Sequence, residues 1–449
     1  MILIQGGRQF VLSDIVMHVT FVTAGSQGDV QPMLALAVAM QDVGFQVRFA
    51  AHERFEGLAL RAGVPFFALA GNDPQSVQRD EHSRARKSRM ATLVHVLRRP
   101  TEPSAMELER LWDACQATDA VVFSPLAGTV YHVVERLQLP SCVAWLHPQY
   151  PTRFIPSLLG PPPLPLGPIY NLATHIFMQA LFWLPSRSWV NRWRKETLGL
   201  QPVSLMSPLR LLHQRRVPML FGFSPAFIPR PKDWPEWMHV TGYWFLPRTE
   251  DWSPPPGLTE FIESGPAPLS IGFGSVVDSA ADALLQKIIA ALSTTGQRAV
   301  LVSGWNHYTS VLPKNIFQVE SAPYHWLFPR VSAAIHAAGA GTVAEALRAG
   351  IPSICVPFAG EQKFYARRLA ELGLAAKPIR PNQADEPSLV QAITAVTTDT
   401  GMRERARTFA GLIRAENGLS QAVQLLRQYL QPVQSPPVVH AELITEDRR

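Results

Sequence analysis

The sequence predicts an α/β protein built from two doubly wound, Rossmann-like domains. Residues 17–50 and 333–356 each read as strand, glycine-bearing turn, helix and strand, the repeating unit of a parallel sheet covered on both faces. The two units lie in opposite halves of the chain, and 449 residues suffice to bury more than one core.

Taken in order, residues 1–16 read as a loose extension without the clean apolar run of a leader, so that Met17 can serve as a start. Residues 18–23 form the first strand, 24–32 a glycine-bearing loop, 33–42 a helix ended by Gly44, and 46–50 a second strand. Helices follow at 105–115 and 126–137, with strands at 120–123 and 141–145. Residues 147–168 are too rich in proline for regular structure, and 169–184 is an apolar run too short for the roughly 20 residues that span a bilayer. A last strand of the first domain falls at 219–223. The second domain opens with a strand ending in Gly274-Ser275, then a helix at 280–292 and a strand at 298–303. After the 333–356 unit come a helix at 362–372, a short strand at 375–378, and helices at 387–396, 401–415 and 419–430. The domains are set at 17–242 and 243–418, with a linker-like loop near 247–258, a final helix at 419–431 and a disordered tail at 432–449.

Composition excludes several classes. A 47% hydrophobic and 17% charged chain is an ordinary folded protein. Its +6 formal charge suits an anionic substrate, but no basic face interleaved with aromatics suggests nucleic acid. Cys115, Cys142 and Cys355 are too far apart for a metal set and read as core thiols of a reducing compartment. The charged stretch 79–89 is a solvated loop or a lid that attracts anions.

Two loops carry the chemistry. A short apolar strand ends at His336 and passes through Ala337, Ala338, Gly339, Ala340, Gly341 and Thr342 into a helix. Glycines allow close backbone approach, and amides at a helix start favour an anion; Thr342 and His336 can add side-chain donors. The same pattern also serves packing or capping, and His336 alone can be structural. The spacing is neither a P-loop nor a dinucleotide fingerprint. In the first domain, the loop Gly25-Ser26-Gln27-Gly28-Asp29 lies at the carboxyl end of the first strand, where open α/β sheets bind ligands. Asp29 is its ionisable group, either a general base or a cap for the following helix. The aromatic load after the proline-rich stretch, Phe177 and Phe182 included, fits an acceptor pocket, a membrane-facing patch or plain helix packing.

These motifs resemble the GT-B glycosyltransferases that use nucleotide sugars, closest to the branch of sterol and lipid glucosyltransferases and antibiotic-aglycone glycosyltransferases. The resemblance covers roughly residues 18–430. It implies the GT-B fold, two domains facing across a cleft, with acceptor in the first, donor in the second and the last helix crossing back. It carries the diphosphate to His336, Gly339, Ala340, Gly341 and Thr342, and the sugar hydroxyls to Glu361 and Gln362. It also carries a phosphate contact to Ser275, nucleobase stacking to Trp305 and pocket lining to residues 323–329. Asp29 and His336 become the catalytic pair; Gly28, Asp29, His147, Phe177 and Phe182 become acceptor residues. The family normally has His-His-Gly-Gly-Ala-Gly-Thr, so Ala337 removes a donor and Ala338 adds a methyl where glycine stands; Glu361 replaces a usual aspartate.

The implied activity is inverting, metal-independent transfer of a hexose, glucose first, from a nucleoside diphosphate sugar such as UDP-glucose to a hydrophobic alcohol, with no resident cofactor. The alternatives are a TDP-deoxysugar donor, a non-catalytic scaffold of the same fold, and a nucleotide-sugar epimerase. Implied partners are the donor and a small hydrophobic acceptor, with no nucleic acid and a weak association with a membrane surface. The expected location is cytoplasmic, peripheral to the inner face of the membrane; the oligomeric state stays open.

Overall fold

The computed structural model describes residues 2–5, 8–11, 16–71, 102–161, 164–203, 208–247, 252–273, 279–304, 312–358 and 360–430. The first domain holds a seven-stranded parallel sheet of β1 (His18–Val22), β2 (Gln46–His52), β3 (Phe66–Leu69), β4 (Ala120–Phe123), β5 (Ser141–Trp145), β6 (Met219–Phe221) and β7 (Met238–Val240), in the order 3-2-1-4-5-6-7. The second holds β8 (Leu269–Gly272), β9 (Ala299–Val302), β10 (Ile316–Val319), β11 (Ala333–His336) and β12 (Ser353–Cys355), all parallel, in the order 10-9-8-11-12. Strands buried on both faces must read as unbroken apolar runs, as β4 and β11 do. Outside the two sheets, Ile2–Gln5 pairs antiparallel with Arg8–Val11.

Each sheet reverses its strand order once, between β1 and β4 and between β8 and β11. A crevice opens at the carboxyl ends of such a pair, because the flanking connections depart to opposite sides. The Gly25–Asp29 loop follows β1 and the His336–Thr342 turn follows β11, so both chemical loops stand at switch points.

Three elements differ from the sequence expectation. The first helix, α1 (Gln27–Asp42), starts six residues early and runs through Pro32. Its opening turn is closed by Ser26 and Asp29, which outweighs the one bond that Pro32 removes. The strand expected at 375–378 is reduced to a single bridge, Ser353 to Ala375, since Pro378 cannot donate to a ladder. The helix α2 (Val130–Leu137) is likewise shorter than expected, a tight turn occupying 125–127.

The domains are tied in two places. The last helix buries Ala422, Val423, Leu426 and Leu430 in the core of the first domain, beside Val19, Met33 and Cys142. A second apolar cluster runs continuously from Phe223 and Phe227 of the first domain to Tyr365, Val343 and Ala338 of the second. Gly418 opens the last helix where an added Cβ would stand 2.5 Å from the Tyr243 carbonyl oxygen and 2.7 Å from the Gly242 carbonyl carbon. Backbone atoms cannot rotate away. Gly418→Ala should therefore cost about 1–3 kcal/mol, read as a lower chemical-denaturation midpoint; an unchanged midpoint would show that this crossover is not tightly packed.

Candidate active site

The turn after β11 is organised by His336. The ring is buried, and its Nδ1 accepts the amide N–H of Ala338 at 3.0 Å. An amide can only donate, so the ring proton sits on Nε2, which reaches Ser353 Oγ at 3.0 Å. Burial holds the imidazole down at about 4. Both nitrogens are thus engaged, one by the turn and one by Ser353 on β12. In this arrangement the ring braces the backbone that follows β11.

The residue it braces is Ala338, which has φ +63° and no solvent exposure. A left-handed alanine costs about 1–2 kcal/mol against glycine, offset here by the His336 bond and by packing within the cluster that also holds Val343 and Tyr365. The methyl therefore belongs to the core, and the ligand side of the turn stays clear of it.

That clear side lies over Gly339 and Gly341, where an added Cβ would meet nothing within 4 Å. Gly339 caps helix α5 (Ala340–Ala349), whose first internal bond runs from Val343 N–H to the Gly339 carbonyl. The amides of Ala340, Gly341 and Thr342 precede it and point outward with the positive end of the helix dipole. Thr342 shares its hydroxyl with the phenol of Tyr324, which stacks on Phe328 with ring centres 4.4 Å apart.

Glu361 caps the next helix, α6 (Gln362–Glu371), and the Gln362 side-chain oxygen accepts the amide of Phe358, shaping the loop between them. One turn on, the Tyr365 phenol meets His147 Nδ1 across the interdomain boundary at 2.9 Å. Burial pushes that phenol well above its ordinary range, and its ring lies parallel to Phe227. His147 follows β5, so this bond joins the carboxyl end of the first sheet to the loop that carries Glu361.

In the first domain, Asp29 Oδ2 accepts the amide of Ser26 at 2.8 Å and its hydroxyl at 2.9 Å. The capping alternative is thus realised, and among the described residues the other carboxylate oxygen has no hydrogen-bond partner. Gly25, at φ +109°, passes so close that a Cβ would lie 2.5 Å from Asp29 Oδ2 and 2.8 Å from Leu126 Cδ1. The loop after β4 joins in through a Thr23–Ser124 hydroxyl bond at 3.2 Å. Gly28 is exposed beside it.

Phe177 and Phe182 stand half-exposed on the long helix α3 (Gly167–Glu196). Five positions turn a helix by about 140°, so the two rings project from different sides of it. Ser275, Trp305 and the 79–89 stretch lie outside the described residues. Among the described residues no group of three or more His, Cys, Asp or Glu is arranged to hold a metal, and the three cysteines are buried and free, with Cys115 and Cys355 pushed up to about 12 by burial. Ser353 and Tyr365 were not singled out by sequence reasoning, and Tyr324 only as part of the 323–329 segment; each bonds a partner distant in sequence.

Residues 19–156 match the family described as glycosyltransferase family 28 N-terminal domain, and residues 287–423 match erythromycin biosynthesis protein CIII-like, C-terminal domain. With its two switch-point sheets and terminal crossover helix, the chain belongs to the GT-B glycosyltransferases. It is 36% identical over 427 residues to a sterol 3-beta-glucosyltransferase of Pichia angusta, covering 91% of this chain. It spans 33% of that relative's length. The glycotransferase of kitacinnamycin has the same fold, with TM-score 0.69 and 16% identity over 92% of this chain and 99% of that one. So does spinosyn rhamnosyltransferase SpnG complexed with thymidine diphosphate, at TM-score 0.60 and 20% identity over 92% and 100%.

Two outcomes follow for the turn. Ala338→Val puts a β-branched side chain at positive φ in a closed site and should cost about 2–4 kcal/mol in denaturant unfolding; a loss no greater than at an exposed alanine would contradict the left-handed turn. His336 is held neutral, so the unfolded chain binds the extra proton between about pH 6.5 and 4, and stability must fall as pH falls through that window. His132, lowered to about 3 by burial and the Arg194 charge, adds to the same slope. His336→Asn, which keeps an acceptor near Ala338, should flatten the acid slope by one proton; an unaltered slope would contradict the buried neutral ring.

Proposed function

We propose that this chain transfers glucose from UDP-glucose to the hydroxyl of a hydrophobic, sterol-type alcohol, with inversion at the anomeric carbon and no requirement for a metal. The observation that carries the reading is the open space over Gly339 and Gly341 at the N-terminus of α5, at the switch point of the second sheet. A diphosphate seated there meets the amides of Ala340, Gly341 and Thr342 and the helix dipole, which stabilise the negative charge that grows as it leaves. The Pichia relative, a sterol 3-beta-glucosyltransferase, supports the choice of sugar and acceptor.

Glu361 and the Gln362 amide bind sugar hydroxyls from the loop braced at Phe358. The acceptor hydroxyl approaches from the first domain, near Asp29 and His147. Its oxygen bonds to the anomeric carbon as the bond to the β-phosphate oxygen breaks, and its proton passes to the Asp29 carboxylate. Ser26 holds Oδ2 and so aims the other oxygen. Direct attack on the face opposite the leaving group inverts the centre. The structure of SpnG, complexed with thymidine diphosphate, keeps a TDP-sugar as the second donor to assay.

Asp29→Asn should lower kcat by about 10²–10⁴-fold with donor KM little changed, whereas Gly341→Leu, filling the space over the amides, should raise donor KM or abolish binding. Both are read with UDP-glucose, TDP-glucose and a sterol panel, with EDTA leaving turnover unchanged and proton NMR giving the anomer. No turnover of any donor, together with no calorimetric binding of UDP or TDP, would favour a non-catalytic scaffold. Turnover of a donor without acceptor to an epimer would instead favour the epimerase.

A further inference from the structure

The large apolar side chains left exposed are concentrated on α3 and on the proline-rich loop before it. On the helix, Ile169 is 84% exposed, Ile176 56% and Leu184 54%. Positions 169, 173, 176, 180 and 184 recur at helical spacing and form one stripe, Ile-Ala-Ile-Ala-Leu, along the outer side. Trp183, Trp189 and Trp193 are buried and anchor the helix to the domain. On the loop, Phe154, Leu159 and Leu166 are also about half exposed or more. The loop is locked to the helix: Ser157 N–H donates to Thr174 Oγ1 at 2.8 Å, and the Asn171 amide donates to the Arg153 carbonyl at 3.0 Å. Loop and stripe are one rigid apolar surface.

Charge says what covers it. Residues 136–195 contain six basic residues and no acidic one. Arg192 and Arg194 are paired with Glu102 and Glu135, while Arg153 and Lys195 are exposed. Continued at the same spacing past Pro185, the stripe runs from Leu184 into Arg187, Asn191 and Lys195. The helix ends on Glu196, but the stripe itself carries cations and no carboxylate, which suits the boundary between anionic headgroups and acyl chains. No helix among the described residues is long and apolar enough to cross a membrane.

The surface is also continuous with the site. Leu159 Cδ2 lies 3.4 Å from where a Cβ on Gly360 would stand, immediately before Glu361. We infer that the outer stripe of α3, with residues 153–161 and 164–166 before it, forms a docking face for an anionic lipid bilayer, placing the cleft edge at Leu159 against the membrane so that the acceptor alcohol enters directly from lipid. This rests on the proposed transfer for the acceptor's identity, but the docking itself does not.

The test uses the full chain with vesicles of phosphatidylcholine alone and with about a third phosphatidylglycerol. The wild type should sediment with the anionic vesicles, less so at high salt, and should glucosylate vesicle-embedded sterol. Ile169→Asp combined with Ile176→Asp should lower vesicle partition at least about tenfold and lower transfer to embedded sterol in proportion. Transfer to sterol carried by cyclodextrin, UDP binding and the circular dichroism spectrum should stay as in the wild type. Absence of wild-type partition into anionic vesicles overturns the inference. So does a concentration-dependent dimer that the double variant abolishes without any change in vesicle partition, which would assign the face to a second copy. Partition without transfer in any format upholds the face and removes the proposed function instead.

Discussion

The hydrogen bond from the Ala338 amide to His336 Nδ1 is the contact on which the donor side depends. It holds an alanine in the left-handed region, and that reversal turns the chain from β11 into α5 within three residues. The helix therefore starts at the carboxyl edge of the sheet, with its first amides turned outward. Removing the bond would free the backbone of Ala338 to relax towards negative φ, and the amides would lose their common aim. The second ring nitrogen extends the brace to Ser353 on β12, so the turn is fixed against two strands. In the proposed transfer the histidine would act on charge indirectly, by positioning dipoles.

Across the cleft the same economy appears. Asp29 closes the first turn of α1 with one carboxylate oxygen and keeps the other turned away from that cap. Gly25 is needed because the carboxylate passes within a distance that no side chain would tolerate. His147 and Tyr365 then bridge the domains one helical turn from Glu361. Burial keeps the phenol protonated well above its ordinary range.

Much of this was legible in the sequence. The largely apolar runs at β1, β4 and β11 announce parallel strands feeding helices, and the two chemical loops, after β1 and β11, were placed at the right strand ends. Asp29 as a cap was readable from Ser26 three positions before it. What stayed hidden depends on pairings remote in sequence. Nothing local to His336 says that Ser353 will take its second nitrogen, and nothing around His147 names Tyr365. Ala338 looked like an obstruction to the ligand because a sequence shows that a methyl is present but not where it points.

The central claim is that the open amides of α5 receive a nucleoside diphosphate. A crystal structure of the chain with UDP tests it most directly. The account predicts phosphate oxygens about 3 Å from the Gly341 and Thr342 amides, with the His336–Ala338 bond intact beneath them. A nucleotide bound away from this turn, or a His336 ring swung out to hold the phosphate itself, would contradict it.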